Sequence, residues 1–434
     1  MVVNKTRRSS KSHALNIWMN GVHVGVWKIS SQRISTFQYS ADWLLNSKAR
    51  SLSLSLPILA SNREHSGHSV DYYFDNLLPD NAKIRDRLQQ KYATNTTQAY
   101  DLLAEIGRDC VGAIQLLPIG EKPDNWQSIK SEPLSEIDIE SILKNVVSSS
   151  LLVNGHDDFR ISIAGAQEKT ALLWHNNQWH KPHGSTPTTH ILKLPLGIVG
   201  NMQANMSHSI DNEWLCSKIL SEYGLNTAYC KMQTFGDTKA LIVERFDRKK
   251  NDSGKYWLRL PQEDMCQALG LPSGSKYQSD GGPGMEDILD LLRGSKNNTK
   301  DRRDFFKTQI LFWMLAATDG HAKNFSIHNL PNDQFTMTPL YDVLSTWPII
   351  GRGANQLNWH EAKLAMAFKG KNTHYACSNI MRRHINAMAF KCGIGKNAED
   401  IIIDIIENTD RVIDAVNRIL PPDMNQNVFK SITT

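Results

Sequence analysis

The apolar segment Phe305 to Ala317 runs directly into a polar heptad, Thr318-Asp319-Gly320-His321-Ala322-Lys323-Asn324, and this junction restricts the fold more than any other stretch of the chain. The apolar run predicts a buried helix and Asp319-Gly320 predicts its stop, so the polar side chains are presented by a loop on a rigid support. Two short strand-like runs follow, Phe325 to His328 and Gln334 to Thr338, with turn residues Leu330-Pro331-Asn332-Asp333 between them. A returning hairpin of that kind carries the next polar pair, Tyr341-Asp342, back towards the heptad.

An Asp, four residues, an Asn, a hairpin and a second Asp is the order in which protein kinases carry their base and both magnesium ligands. The chemistry needs these residue types: a carboxylate accepts the proton of an attacking hydroxyl, and hard oxygen ligands hold magnesium against the transferring phosphates. On this reading Asp319 is the base, and Asn324 and Asp342 bind metal. A bare D-x-x-x-x-N is more often a cap and a turn. The helix before it and the hairpin after it are what give it weight.

A chain of 434 residues exceeds one core and predicts two or three domains. Its net charge of +5 is too small an excess over that length to imply nucleic-acid binding by itself. The six cysteines, none in a C-x-x-C pair, suit free thiols in a reducing cytoplasm better than a disulfide framework or a zinc site. Residues 1–14 are basic without an apolar core, which predicts a tail rather than a secretory signal, and the longest apolar run, Ile310 to Ala317, is too short to span a membrane. A cytoplasmic protein without a membrane partner is expected.

Residues 15–120 read as an N-terminal α/β subdomain. Asn20-Gly21 between two apolar runs predicts a hairpin, the alternating Ser51 to Pro57 predicts a strand burying Leu52, Leu54 and Leu56, Ala82 to Tyr92 and Gln98 to Ile106 predict helices, and Val111 to Pro118 another strand. Gly120 to Pro133 reads as a linker. In residues 121–247, strands at Thr170 to Trp174 and Trp179 to Pro182 flank His175-Asn176-Asn177-Gln178, a third strand at Thr188 to Leu194 carries Lys193, a helix spans Ser209 to Tyr223 and stops at Gly224, and two strands follow, Ala228 to Phe235 and Thr238 to Glu244. That is the order of a kinase small lobe. Lys193 is its phosphate-binding cation, with Glu213 as the helix partner and Asp211 as the alternative.

The phosphate loop falls in Arg160 to Lys169, where small residues let backbone N–H groups approach phosphate, although the single glycine, Gly165, makes this no G-x-G-x-x-G. Glu244-Arg245-Phe246-Asp247 would cross between lobes, where backbone groups can pair with adenine. Residues 248–434 read as a mostly helical large lobe, with helices at Pro261 to Leu269, Met285 to Leu292, Asp304 to Thr318, Ile380 to Phe390 and Ile401 to Arg418, and Ser279 to Gly284 as a connecting loop. The fold class is therefore α+β: a two-lobed, protein-kinase-like fold with an extra N-terminal subdomain.

The strings RISIAGAQEKTALL, PTTHILKLP, VERFDR, LRLPQEDMCQALGLP, SDGGPG and ATDGHAKNFS, with SLSLSLP, FDNLLPD and EIGRDCVGA in the first subdomain, closely resemble the HipA family, the serine/threonine kinase toxins of bacterial HipBA toxin-antitoxin modules. The likeness runs from about Leu15 to the end. It implies a kinase that uses ATP and magnesium, with glutamyl-tRNA synthetase in its substrate class, so that translation stops and cells become dormant and persist. It implies Asp319 as the catalytic aspartate, Asn324 and Asp342 as metal ligands and Lys193 as the ATP lysine. The nucleotide loop would be Ala164, Gly165, Ala166, Gln167, Glu168 and Lys169, with Glu244, Phe246, His321, Lys323 and Tyr341 around the nucleotide. Ser162 matches the serine that family members phosphorylate on themselves, where a doubly charged phosphate would repel ATP. The implied partners are a HipB-like helix-turn-helix antitoxin dimer and, through it, operator DNA, which would place the chain on the nucleoid. Which of His321 and Lys323 meets the γ-phosphate stays open. The alternatives are a corepressor with a degenerate kinase site and a small-molecule kinase.

Overall fold

Asn20 and Gly21 take φ of 45° and 78°, the left-handed pair that closes a two-residue hairpin, and they start the first sheet as the sequence predicts. The computed structural model describes residues 13–147, 162, 167–200 and 202–434. The antiparallel sheet contains β1 (His13–Met19), β2 (Val22–Ile29), β3 (Ser35–Tyr39), β4 (His65–Ser66) and β5 (Ile114–Pro118), in the order β4-β3-β2-β1-β5. Four helices accompany it: α1 (Ala41–Leu44), α2 (His68–Asp75), α3 (Ala82–Tyr92) and α4 (Ala99–Ile106). Their core joins Leu15, Ile17, Trp27 and Phe37 to Phe74, Leu102 and Ile106, with the Trp27 ring stacked on Phe74 at 3.8 Å.

Ser51 to Pro57 is not a strand. Leu52 and Leu56 are buried as the alternation requires, but Leu54 is only half-buried and Ser53 is fully buried. The backbone is used to grip the rest of the molecule instead of pairing with a neighbour. Ser51 N donates to Asp333 Oδ1 at 2.6 Å, Leu54 N donates to Glu263 Oε1 at 2.9 Å, and the Ser53 hydroxyl donates to the same carboxylate.

The second sheet is antiparallel, in the order β12-β13-β9-β7-β8-β6. Its strands are β6 (Ser131–Pro133), β7 (Lys169–His175), β8 (Gln178–Pro182), β9 (His190–Lys193), β12 (Cys230–Phe235) and β13 (Thr238–Glu244); a separate hairpin, β10 (Gly197–Val199) and β11 (Ala204–Met206), follows β9. The end of the segment read as a linker, β6, is thus an edge strand. Asn176 and Asn177, with φ of 49° and 60°, close the β7–β8 hairpin. Helix α5 (Glu136–Val147) lays Ile139 and Leu143 on Leu172, Leu192 and Ile242 of this sheet. Helix α6 (Ser209–Glu222) ends before Gly224 at φ 81° and is buried on most of its circumference. Its Ile210, Trp214 and Leu215 belong to the core of the next lobe, so α6 is shared between lobes.

That third unit contains β14 (Arg248–Lys250), β15 (Trp257–Arg259), β16 (Gln262–Asp264), β17 (Ser326–Asn329), β18 (Phe335–Met337), β19 (Lys363–Lys369) and β20 (Thr373–Ala376). Its helices are α7 (Met265–Ala268), α8 (Met285–Leu291), α9 (Asn298–Met314), α10 (Arg382–Lys391), α11 (Glu399–Arg418) and α12 (Gln426–Thr433). Phe305, Phe306 and Ile310 of α9 pack among Ile288, Phe325, Phe368, Met388 and Ile401. The stretch Pro261 to Leu269, expected as one helix, is β16 followed by α7. Asp264 starts the helix with a capping box to Gln267, and that cap forces an extended residue where periodicity alone suggests a continuous turn.

The first unit is riveted to the connector between lobes. Buried Asp109 receives Arg248 Nη2 at 2.9 Å, Arg259 Nε at 3.1 Å and Thr188 Oγ1 at 2.7 Å, and Asp247 receives Arg245 Nη2 at 2.8 Å and Gly112 N at 2.7 Å. All six cysteines are buried and unpaired. Among the described residues no helix is long and apolar enough to cross a membrane.

Candidate active site

Helix α9 stops because Ala316, at φ 47°, leaves the helical region; the chain then turns through Asp319 into a single tight turn over Ala322–Asn324. The turn is fixed by His321 N to Asp319 O at 2.8 Å and Asn324 N to His321 O at 2.9 Å. β17 pairs with both β16 and β18, and this small sheet returns the chain to Tyr341-Asp342. Tyr341 is anchored through its hydroxyl to Ser326 Oγ at 2.6 Å and Lys323 O at 2.9 Å. Asn324 Nδ2 donates to Asp319 O at 2.9 Å and to Asp342 O at 3.3 Å, tying the two aspartate-bearing segments together. Those two bonds occupy the amide nitrogen and leave the Asn324 oxygen as the atom able to meet a cation.

Across from these lies Lys193 on β9. Its Nζ donates to Glu213 Oε1 at 2.6 Å and Asp342 Oδ1 at 2.7 Å, with the lysine and glutamate side chains 7% and 5% exposed. Burial disfavours the ammonium, but Asp342 and Glu213 outweigh it and raise the Lys193 pKa; for Asp342 the burial penalty is outweighed by Lys193 and Lys169, which hold its carboxyl well below the usual range. Asp211, the alternative partner, turns the other way and meets Lys239 Nζ at 3.0 Å and Asn425 N at 3.0 Å, because residues two apart on a helix do not share a face. Lys169 lies opposite Lys193 in the β7–β9 register. Burial, together with the Lys193 charge, pushes its ammonium down to about 8.

Asp319 keeps its carboxylate half in solvent, at 59% exposure, and Oδ1 accepts the hydroxyl of Tyr277, a residue the sequence reading left out because nothing local marks it. His321 Nε2 is 4.0 Å from the same oxygen, the ring is buried with Nδ1 lacking a hydrogen-bond partner among the described residues, and burial lowers its pKa. Phe246 sits 5.7 Å from the Tyr341 ring, and Glu244 is exposed at the end of β13. Ser162 is buried, its hydroxyl donating to Leu77 O at 2.7 Å. Ala164, Gly165 and Ala166 lie outside the described residues. Gln167 donates to Leu194 O at 2.5 Å, and Glu168 pairs with Arg87.

Lys323 does not join this group. Its ammonium points away, to Asn76 Oδ1 at 2.7 Å, Asp264 Oδ2 at 3.3 Å and Asp80 Oδ1 at 3.4 Å. Asn76, Asp80 and Asp264 were also absent from the sequence reading, since their partner is far along the chain. Among the described residues no cluster of three or more histidine, cysteine or acidic side chains is arranged to hold a metal; the donors here are one carboxylate and one amide, the oxygen types that suit magnesium when phosphates supply the remaining ligands.

The family model described as the HipA N-terminal domain matches residues 15–117, and that of the HipA-like C-terminal domain matches residues 161–413. The chain is similar to the putative kinase Y4mE of Sinorhizobium fredii, 34% identical over 339 residues that make up 76% of this chain and 77% of the relative. It is 25% identical over 406 residues to the serine/threonine-protein kinase toxin HipA of Shewanella oneidensis, covering 88% of this chain and 84% of that one. Among solved structures, the Shewanella oneidensis MR-1 complex of HipA, HipB and operator DNA superposes with a TM-score of 0.77 at 22% identity, over 96% of this chain and 94% of that chain. At that identity the likeness is one of fold.

Proposed function

Because the chain belongs to the HipA family, we propose that it is the serine/threonine protein kinase of a toxin-antitoxin module, transferring the γ-phosphate of ATP to a protein hydroxyl. The observation that carries the reading is the bonded set in which Lys193 joins Glu213 to Asp342 while Asn324 joins the Asp342 backbone to that of Asp319. The Lys193–Glu213 pair and the Asn324 tie between the two aspartate segments are parts that phosphoryl transfer uses, which supports a working site over a degenerate one.

In this reading Asp319 accepts the proton of the attacking hydroxyl at Oδ2, since Oδ1 is taken by Tyr277. Lys193 leaves Asp342 to meet ATP phosphates and keeps Glu213 as its holder. Asn324 and Asp342 would hold magnesium, which when bound neutralises charge on the phosphates. Ala164, Gly165, Ala166, Gln167, Glu168 and Lys169 would line the phosphates, with Glu244, Phe246 and Tyr341 at the base and ribose side. The buried Nδ1 of His321, which meets no hydrogen-bond partner among the described residues, supports giving the γ-phosphate contact to His321 rather than Lys323, whose ammonium is already surrounded. Ser162 is the proposed autophosphorylation site. Its hydroxyl is buried on Leu77 O, so modification requires the loop to leave that seat. A glutamyl-tRNA synthetase substrate, a HipB-like antitoxin and operator DNA bound through it complete the proposal.

The test is transfer of labelled phosphate from ATP in cell extract. A labelled protein band that disappears with Asp319→Ala supports the kinase; a labelled small product, or label unchanged in Asp319→Ala, contradicts it.

A further inference from the structure

Lys323 sits in the loop that carries Asp319 and Asn324, yet its side chain is 3% exposed and faces the first unit of the molecule. Its Nζ reaches Asn76 O at 3.1 Å as well as Asn76 Oδ1 at 2.7 Å, and is 3.4 Å from Asp80 Oδ1 and 3.3 Å from Asp264 Oδ2. Asn76 and Asp80 lie in the short segment between α2 and α3, more than two hundred residues upstream. The Asn76 oxygen is aimed by its own amide nitrogen, which donates to Tyr72 O at 2.8 Å and Leu271 O at 3.0 Å. The other oxygen of Asp80 takes Lys276 Nζ at 3.0 Å, next to the Tyr277 that donates to Asp319. The Lys323 carbonyl, in turn, receives the Tyr341 hydroxyl.

Asn76 and Asp80 therefore hold the base-bearing loop from two sides: through Lys323 directly, and through Lys276 at the tyrosine that touches the base. Resting on the kinase reading above, we propose that Asn76 and Asp80 are positioning residues of the phosphoryl-transfer site, so that the N-terminal unit is part of the catalytic apparatus. The role does not involve contact with ATP. Losing it should leave nucleotide binding nearly intact and slow the transfer step, because small displacements of a base cost rate more than affinity.

The experiment measures phosphate incorporation at saturating ATP, the ATP concentration for half-maximal rate, and melting temperature, for wild type, Asp80→Asn, Lys323→Met, the double variant and Asp80→Glu. Asp80→Asn is expected to lose about tenfold in kcat with KM for ATP changed by less than about threefold, and the double variant is expected to lose clearly less than the product of the two single losses, since the Lys323–Asp80 contact is common to both while Asp80 also acts through Lys276. Asp80→Glu, which keeps the charge, is expected to recover most of the rate. An unchanged kcat in Asp80→Asn, or losses that multiply in the double variant, overturns the proposal. Should Asp80→Asn fail to fold, Asn76→Ala, which leaves both carboxylates on Lys323, takes its place in the same cycle with the same expected and overturning results. Asp319→Ala is measured alongside: transfer persisting there defeats the kinase reading itself, whereas its loss with a wild-type rate in Asp80→Asn defeats only the positioning role.

Discussion

Asp342 holds φ at 61°, in the left-handed region that aspartate enters more readily than most non-glycine residues, with Lys193 on its carboxylate and Asn324 on its carbonyl. Removing the cation leaves buried Glu213 beside half-buried Asp342 with only Lys169 to offset the two charges. Lys193→Met is expected to lower stability by roughly 3 kcal/mol and abolish transfer, and Lys193→Met with Glu213→Gln to regain part of the stability but none of the activity, as read by denaturant melts and phosphate transfer. Lys169 gives a pH dependence. Its pKa is pushed down to about 8, so the ammonium that would meet phosphate is present below that pH and lost above it. ATP affinity is expected to fall as pH rises through about 8, and titrations with Lys169→Met should show a flatter profile.

At the scale of elements, the close approach of the chain at Gly112 to β16 decides how the first unit meets the rest. Gly112 has φ 77°, its N–H donates to Asp247, and a Cβ there would lie 2.8 Å from the Gln262 carbonyl oxygen. Gly112→Ala is therefore expected to cost about 2 kcal/mol or more, seen as a drop in melting temperature, through backbone strain and a collision that backbone cannot relieve. Elements whose cause is local were legible in the sequence. The Asn20-Gly21 and Asn176-Asn177 turns, helix α6 with its glycine stop, and the body of α9 all follow from turn chemistry or periodicity within a dozen residues. That Lys193, Glu213, Asn324 and Asp342 come together was legible because their order along the chain is itself mechanical. What escaped was set from far away. Ser51 to Pro57 has a strand's alternation, yet Glu263 and Asp333 capture its backbone. β19 and β20 sit in a region where helical spacing dominates. Tyr277, Asn76 and Asp80 meet their partners only once the units are packed, and Lys323 was drawn to the nucleotide by its neighbours in sequence when its charge is drawn to three oxygen-bearing side chains behind the loop.

Across the whole molecule, the contacts that fasten the N-terminal unit to the lobes include the Asp109 arginine cluster, the Lys323 seat and the Glu263 carboxylate gripped by Ser53 and Leu54. Glu263 is fully buried and accepts from Leu54 N and Asn329 Nδ2, it forms no ion pair among the described residues, and burial raises its pKa to about 7. Between the ordinary glutamate range and about 7 the folded chain thus binds more protons than the unfolded one, so this group's contribution to stability falls as pH rises through that window, by up to roughly 3 kcal/mol. Glu263→Gln, whose amide can serve the same partners, is expected to raise the melting temperature at pH 8 and to leave it unchanged near pH 4. The account as a whole stands on Asp319 acting as the base of a protein kinase. Its most direct test is quantitative phosphoproteomics of cells expressing the wild-type chain against cells expressing Asp319→Ala at equal abundance. The account predicts phosphoserine or phosphothreonine sites, Ser162 among them, present with the wild type and absent with the variant; the same phosphosites at the same occupancy in both would contradict it.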